Sequence, residues 1–257
     1  MSNFLFFLAV LPSILLGRYI YKMDKFGKEP KKLVKNLFVL GILSAVSTML
    51  VAPFLLEKFP ILNNDNSTNY LELAVSVYIG IALIEEFFKW IYMKLYTWNN
   101  KEFNHIYDAI VYTVFSSLGF ATFENILYVM NGGFMVAIIR AILSVPGHVF
   151  DAVFMGYHYG KSKQAQIDNK KGEQFKQMFL CILIPTLLHG TFDYLLFLNG
   201  YYIIIYLIYV AILYIISFKK VKQVSNVLEN MKEYYCTVCG KKSKTNYCTN
   251  CGNKMQN

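Results

Sequence analysis

Charged residues are scarce in this sequence. Only 16% of its 257 residues are Asp, Glu, Lys or Arg, and 56% are hydrophobic, whereas an ordinary soluble domain has about 25% charged residues. The deficit is concentrated in long stretches that carry few charges or none: 3–21, 71–88, 106–119 and 201–218. A soluble globule cannot bury so many apolar runs of bilayer length. The composition therefore excludes a cytosolic enzyme, a disordered chain and a secreted disulfide scaffold, and it indicates an all-α, polytopic membrane protein.

Arginine is nearly absent, and the lysines that provide most of the positive charge are unevenly placed. Of 23 lysines, 21 lie in four segments that are separated from one another by pairs of apolar spans: 22–35, 94–101, 161–176 and 219–257. The connections between them carry only Lys58. Positive charge on alternate connections is typical of cytoplasmic loops. The net charge of +9 therefore reports membrane topology, and no nucleic-acid partner is expected.

The apolar runs predict about seven transmembrane helices, near 3–21, 33–56, 71–93, 106–130, 134–158, 177–198 and 201–218. At about 1.5 Å per residue, each run can cross a hydrocarbon core of roughly 30 Å. With lysine-rich loops in the cytoplasm, we expect a cell-membrane protein with its N-terminus outside and its C-terminus inside. The first span has no basic region before it, so we do not expect a cleavable signal peptide. The expected domains are a membrane domain over 1–220 and a cytoplasmic linker and ribbon over 221–257.

Cysteine is rare in the membrane spans and concentrated at the end of the chain. Four of the five cysteines form two Cys-x-x-Cys-Gly motifs: Cys236, Cys239, Cys248 and Cys251. In each motif a tight turn lets two thiolates reach one tetrahedral Zn²⁺. The tail is too small to fold on a hydrophobic core, and a cytoplasmic location disfavours disulfides. We therefore predict a structural, non-catalytic zinc ribbon.

Ionisable residues inside the predicted spans are few and grouped. Each costs about 2.5–3.5 kcal/mol or more near the centre of a helix, so such residues indicate function. Those that lie away from the ends of the spans are Glu85, Glu86 and Lys89 in the third span, Glu124 in the fourth, Arg140, His148 and Asp151 in the fifth, and His189 and Asp193 in the sixth. Two of the four histidines of the chain are therefore expected at mid-membrane depth.

Helical spacing relates these residues further. Glu85 and Lys89 are four residues apart and share a face, so Lys89 can stabilise a carboxylate there, while Glu86 is turned about 100° away. His189 and Asp193 have the same spacing, which lets the carboxylate orient the imidazole.

Four motifs in order resemble the PrsW family of intramembrane proteases, which is distantly related to the type II CAAX prenyl endopeptidases. They are Glu85-Glu86-x-x-Lys89, Phe120-x-x-x-Glu124-Asn125, Gly147-His148 and His189-Gly-x-x-Asp193, and the resemblance covers roughly residues 5–215. The first motif ends in lysine, as in PrsW, and not in the arginine one residue later that is typical of the CAAX enzymes. The cysteine-rich tail lies outside the family core.

The resemblance implies a function and a set of site residues. It implies that the membrane domain makes the site-1 cut in a membrane-tethered protein, characteristically an anti-sigma factor, on the external side of its span. By position, Glu85 and Glu86 are the catalytic glutamates, His148 and His189 the motif histidines, and Lys89, Glu124 and Asp193 supporting residues. The expected partners are a single-span substrate, the lipid bilayer and a cytoplasmic protein bound by the ribbon.

Peptide hydrolysis needs an activated water and stabilisation of a developing oxyanion. Two carboxyl groups in a low-dielectric pocket cannot easily both be charged, so one of them is available as a base. We expect Glu86 to be that base, with Glu85 held by Lys89, although the two can exchange roles. A catalytic Zn²⁺ held by His148, His189 and a glutamate ranks second, because the sequence has no His-Glu-x-x-His helix.

Two other classes of protein use part of the same pattern. A proton-coupled transporter or channel also needs buried Glu, His and Asp side chains, but the sequence has no inverted repeat and no Gly-rich segment beside the acidic pair. A membrane-anchored scaffold explains the ribbon but gives the buried residues no role. The sequence therefore predicts a protease, with the transporter as the alternative.

Overall fold

Helices make up nearly all of the membrane part in the computed structural model. The structure describes residues 2–24, 27–65, 67–198, 200–229, 234–236, 238–239, 241–243, 247–248 and 250–254. Apolar runs between polar connections form the helices α1 (Ser2–Met23), α2 (Lys31–Lys58), α3 (Tyr70–Val75), α4 (Ile84–Thr97), α5 (Ile106–Ile142), α6 (Ser144–Ile167), α7 (Lys171–Phe197) and α8 (Tyr202–Glu229).

Short elements complete the fold. A 3₁₀ turn covers Pro60–Leu62, and a π-helical segment, Ser76–Leu83, joins α3 to α4 without a break. In the tail, β1 (Tyr234–Tyr235) pairs antiparallel with β2 (Lys242–Ser243), so that Tyr234 lies opposite Ser243. The chain is therefore an all-α membrane protein with a small cysteine-rich tail, as its composition predicts.

Five helical stretches of the described residues are long and apolar enough to cross a membrane, which is fewer than the seven predicted spans. One of these stretches, 106–167, contains two predicted spans and is broken at Gly133, where the backbone φ is 77°. The predicted span 71–93 is divided among α3, the π-helical segment and α4, so no single piece of it is long enough. The chain is a multi-pass protein, and seven crossings stay a prediction.

Helix α5 is the central element, since it contacts α1, α2, α4, α6 and α8. Small residues let it approach its neighbours closely. A Cβ atom on Gly119 of α5 would collide with the backbone carbonyl of Phe38, and one on Gly41 of α2 would collide with that of Ser116. Such small-residue contacts are a common way for helices to pack in a bilayer. They fix α5, and with it Glu124, against the rest of the bundle.

Candidate active site

The buried ionisable residues come together in one cluster formed by four helices. Helix α4 provides Glu85, Glu86 and Lys89, α5 provides Glu124, α6 provides His148 and Asp151, and α7 provides His189 and Asp193. Glu86 and Lys89 are each only 1% exposed. Residues that are more than 100 positions apart in the sequence therefore form one polar centre.

Glu86 is the most heavily engaged carboxylate of the cluster. Lys89 Nζ donates to Glu86 Oε1 at 2.7 Å, and Nδ1 of His189 lies 2.9 Å from the same oxygen. The Oε2 atom of Glu85 is farther from Lys89 Nζ, at 3.5 Å. Lys89 thus contacts both glutamates, but its nearer partner is Glu86, three residues away, and not Glu85, which the four-residue spacing favours.

His148 is held at both ring nitrogens. Its Nδ1 lies 3.2 Å from Lys89 Nζ, and its Nε2 lies 2.9 Å from Glu124 Oε2. Arg140 Nη2 lies 3.0 Å from the same Glu124 oxygen. The hydroxyl of Ser117 also donates to the His148 carbonyl at 2.9 Å, which ties α5 to α6. The orientation of the imidazole is therefore fixed from two sides.

His189 has an equally crowded environment. Its Nε2 lies 3.3 Å from Asp193 Oδ2, across the four-residue spacing, and 3.8 Å from Glu85 Oε2. The His189 ring meets the His148 ring edge-on, with 5.2 Å between centroids and 89° between planes. The two imidazoles therefore approach each other directly.

Four of these side chains form a group with the chemistry of a metal site. Glu86, His148, Asp151 and His189 are all buried, and each offers one ligand atom within 4.8 Å of the other three. The sequence analysis places Asp151 among the ionisable residues of the spans but gives it no role in the site. The sequence feature that could have identified Asp151 as a site residue is the His148-x-x-Asp151 spacing, which places both side chains on one face of α6.

The donor set fits a catalytic divalent cation. Two histidines with carboxylates are typical ligands of catalytic zinc sites. The cluster also has an excess of acid, because five carboxyl groups, those of Glu85, Glu86, Glu124, Asp151 and Asp193, face only two permanent cations, Lys89 and Arg140. A bound cation would reduce this imbalance, and buried charges are stable only when they are paired.

A cavity of about 300 Å³ adjoins the cluster. Glu85, His148, Asp151, His189 and Asp193 provide part of its polar lining, whereas its apolar wall includes Phe192, Leu196 and Phe197 of α7. Glu86 is not among the lining residues. The cavity therefore offers a space in which a peptide bond and a water can reach Glu85 and the histidines.

The tail brings its four cysteines together as the spacing predicts. The Sγ atoms of Cys236 and Cys251 lie 3.5 Å apart, and those of Cys239 and Cys248 lie 3.3 Å apart. All four lie within 4.8 Å of one another. The backbone N–H of Gly252 donates to the Cys248 carbonyl at 2.8 Å and closes one of the turns. Four thiols at this spacing can hold one tetrahedral metal ion.

Comparisons with a family model and with individual proteins indicate the same family. Residues 29–217 match the sequence model of a family described as "PrsW family intramembrane metalloprotease". The chain is 34% identical to "Protease PrsW" of Oceanobacillus iheyensis over 84% of this chain and 93% of that protein. It is 33% identical to "Protease PrsW" of Clostridioides difficile over 93% of this chain and 98% of that protein. No solved structure matches the chain.

Proposed function

Because the chain belongs to the PrsW family of intramembrane proteases, we propose that it makes the first cut in a membrane-tethered regulatory protein. The proposed substrate is a single-span protein of the anti-sigma factor type, cut on the external side of its span. The observation that carries this proposal is the buried group of Glu86, His148, Asp151 and His189 beside a cavity of about 300 Å³.

In the proposed mechanism Glu86, His148 and His189, together with Asp151, would hold a divalent metal ion. When bound, such an ion supplies Lewis-acid polarisation of a carbonyl and a water that is easily deprotonated. The family description and the donor set both support this metal-dependent version over the glutamate-only version. From the sequence, the glutamate-only mechanism ranks first and the metal-dependent mechanism second. The proposal reverses this order.

We assign Glu85, and not Glu86, as the general base. Glu85 lines the cavity, and its Oε2 has no hydrogen-bond partner among the described residues. Glu86 is already engaged by Lys89 and His189 through one oxygen. A base must reach the proton that it accepts, which favours the carboxylate that faces the cavity. The sequence allows this exchange of roles between the two glutamates.

The remaining residues position these groups. Lys89 neutralises part of the negative charge of the glutamate pair, and Asp193 orients the His189 ring from its Nε2 side. Glu124 orients the His148 ring, also from its Nε2 side. Carboxylate–histidine pairs of this kind fix the tautomer and direction of an imidazole in metal sites.

The test compares N-terminal peptides from membranes of cells that make the wild-type chain, Glu85→Gln, Glu86→Gln or the control Glu57→Gln. Glu57 is an exposed carboxylate near the end of α2, far along the chain from the cluster. New termini beside a single-span segment should be present with the wild type and the control and absent with the other two. Identical profiles for all four chains under several envelope stresses would contradict the proposal and favour a proton-coupled transporter.

We also propose an orientation and a role for the tail. The lysine-rich ends of the helices face the cytoplasm, so that the N-terminus is outside and the tail inside. The four cysteines hold a structural Zn²⁺, and the folded ribbon binds a cytoplasmic protein. Loss of a co-purifying protein in Cys239→Ser, with substrate cleavage retained, would support this docking role. Unchanged co-purifying proteins would argue against it.

A further inference from the structure

A second cavity lies between α1 and α2, away from the cluster. Its volume is about 370 Å³, and α5 closes its far side. Its lining combines cationic side chains with an apolar surface: Gly17, Arg18, Tyr21, Lys31, Val34, Lys35, Phe38 and Phe115. It lies beside the connection between the two helices, where the membrane surface is expected.

Three cations border this groove. Arg18 is exposed near the end of α1, and Lys31 and Lys35 are exposed in the first turns of α2. Lys31 and Lys35 are four residues apart, so they lie on one face of the helix. None of the three forms an ion pair with another described residue. The groove therefore carries uncompensated positive charge at one end.

The start of α2 adds a second source of attraction for an anion. Pro30 is the N-cap and provides no side-chain hydrogen bond. The N–H of Val34 donates to the Pro30 carbonyl, so the preceding N–H groups of the helix are left without an intrahelical acceptor. N–H groups without an intrahelical acceptor and the helix dipole make the start of a helix a favourable place for a phosphate group.

The rest of the groove is apolar. Val34, Phe38 and Phe115 line it, and at Gly17 the absence of a side chain keeps it open over Phe115 and Leu118. A Cβ at Gly17 would lie 3.3 Å from the Phe115 ring and 3.2 Å from Leu118 Cδ1. A cationic end joined to an apolar channel matches a molecule with an anionic head and a hydrocarbon chain.

We propose that this groove binds one anionic phospholipid. The headgroup phosphate lies against Arg18, Lys31 and Lys35 at the start of α2, and an acyl chain lies along Val34, Phe38 and Phe115. Basic pockets between transmembrane helices on the cytoplasmic side are suited to such lipids. The bound lipid links α1, α2 and α5, and it does not depend on the proposed protease function.

The test uses the purified full-length chain in a zwitterionic detergent, titrated with short-chain phosphatidylglycerol and followed by native mass spectrometry and thermal unfolding. We expect one tightly bound lipid and a higher Tm. Short-chain phosphatidylcholine should bind much more weakly, and inorganic phosphate should neither stabilise the protein nor displace the lipid. Equal stabilisation by phosphate would identify a free-anion site and overturn the lipid assignment, as would equal binding of phosphatidylcholine.

A charge-matched pair of double variants locates the site. Lys31→Gln with Lys35→Gln should weaken phosphatidylglycerol binding about fivefold per lysine, which corresponds to roughly 1 kcal/mol each. Lys22→Gln with Lys32→Gln removes the same charge from exposed lysines that do not line the groove, and it should change the affinity little. Phe38→Trp keeps all charges and fills the apolar part, so it should also weaken binding. Equal losses in both double variants would overturn the proposal.

Discussion

At the residue scale, Arg140 has the geometry of a positioning residue for the cluster. Its Nη2 meets Glu124, which in turn meets His148, while its Nε donates to Asn125 Oδ1 at 2.9 Å. A lysine cannot make both contacts, because it lacks the planar fork of the guanidinium. The contact between Glu124 and His148 therefore depends on arginine at this position.

We expect Arg140→Lys to lower kcat/KM about 10–100-fold, the range typical of outer-shell partners of metal ligands. Lys58→Arg, a conservative change at an exposed cation outside both proposed sites, is the control and should keep full activity. The metal affinity should fall together with kcat/KM in Arg140→Lys, since His148 is one of the proposed ligands. A loss of stability with unchanged metal affinity would show a purely structural role.

A buried carboxyl group outside the spans predicts a pH dependence of stability. Glu29 is 3% exposed, and its Oε2 has no hydrogen-bond partner among the described residues. Burial, and next the neighbouring Asp108 carboxylate, raise the pKa of Glu29 to about 10. The folded chain therefore holds a proton that the unfolded chain releases above its own pKa of about 4.3. The stability contribution of this group is complete below that pH and is lost as the pH rises toward about 10.

Glu29→Gln should remove this loss, because the amide stays neutral at every pH. The difference in Tm between Glu29→Gln and the wild type, measured in detergent, should be small near pH 5 and grow in favour of the variant at pH 8. Glu57→Gln, at an exposed position, should show no such trend. A constant difference at both pH values would contradict the raised pKa.

The sequence predicts the members of the membrane cluster better than their contacts. Charges inside apolar runs single out Glu85, Glu86, His148 and His189, and the structure brings all four together. The preference of Lys89 for Glu86 could not be predicted, since residues three and four positions away are equally close on a helix and the rotamer decides. Whether these residues act as assigned stays a prediction.

At the scale of the helices, the contact between α2 and α5 depends on two glycines. Since a Cβ on Gly119 would strike the Phe38 carbonyl, Gly119→Ala should force the helices apart. Overpacking of this kind costs about 1–3 kcal/mol. Gly172→Ala in α7 is the matched control, because no atom lies within 4 Å of the position that its Cβ would take. The Tm should fall in the first variant only, and equal Tm values would show that α2 can move aside.

Apolar runs predict where the helices lie but not how they are interrupted. The π-helical segment Ser76–Leu83 and the break at Gly133 follow from packing and backbone geometry that hydropathy does not report. In a π-helix the i→i+5 hydrogen bonds put more residues in each turn. If residues 71–93 are treated as one regular α-helix, the side chains before the π-helical segment are therefore placed on the wrong face relative to Glu85. The pairing of α5 with α2 was likewise not predictable without coordinates.

At the scale of the whole molecule, two groups of side chains among the described residues can hold metal, and they differ in ligand type. One uses four thiols in the tail, and the other uses imidazoles and carboxylates inside the bundle. Thiolates favour a closed structural zinc site, whereas the mixed set is typical of a catalytic one. The two sites should therefore respond differently to substitution and to chelators.

Metal analysis of the purified chain should find one ion at each group. Cys239→Ser should remove the tail ion and leave peptidase activity intact, whereas His148→Ala should remove the bundle ion and the activity together. Exhaustive chelation should also abolish cleavage. Full activity in a chain that retains only the tail ion would contradict the metal-dependent mechanism. It would favour a mechanism in which Glu85 and Glu86 activate water without a metal ion.

The residues that line the cavity beside the cluster all lie toward the same end of the helix bundle. Its lining comes from Ile81 to Glu85, from Glu124 to Asp151 and from His189 to Phe197. These parts of the π-helical segment and of α4, α5, α6 and α7 are remote from the lysine-rich connections at 94–101 and 161–176. We therefore expect hydrolysis by this protein to be vectorial: in a sealed vesicle with all copies aligned, only peptide bonds presented from one compartment should be cut. On this expectation, the orientation of a substrate in the membrane determines which of its two halves the enzyme can cut.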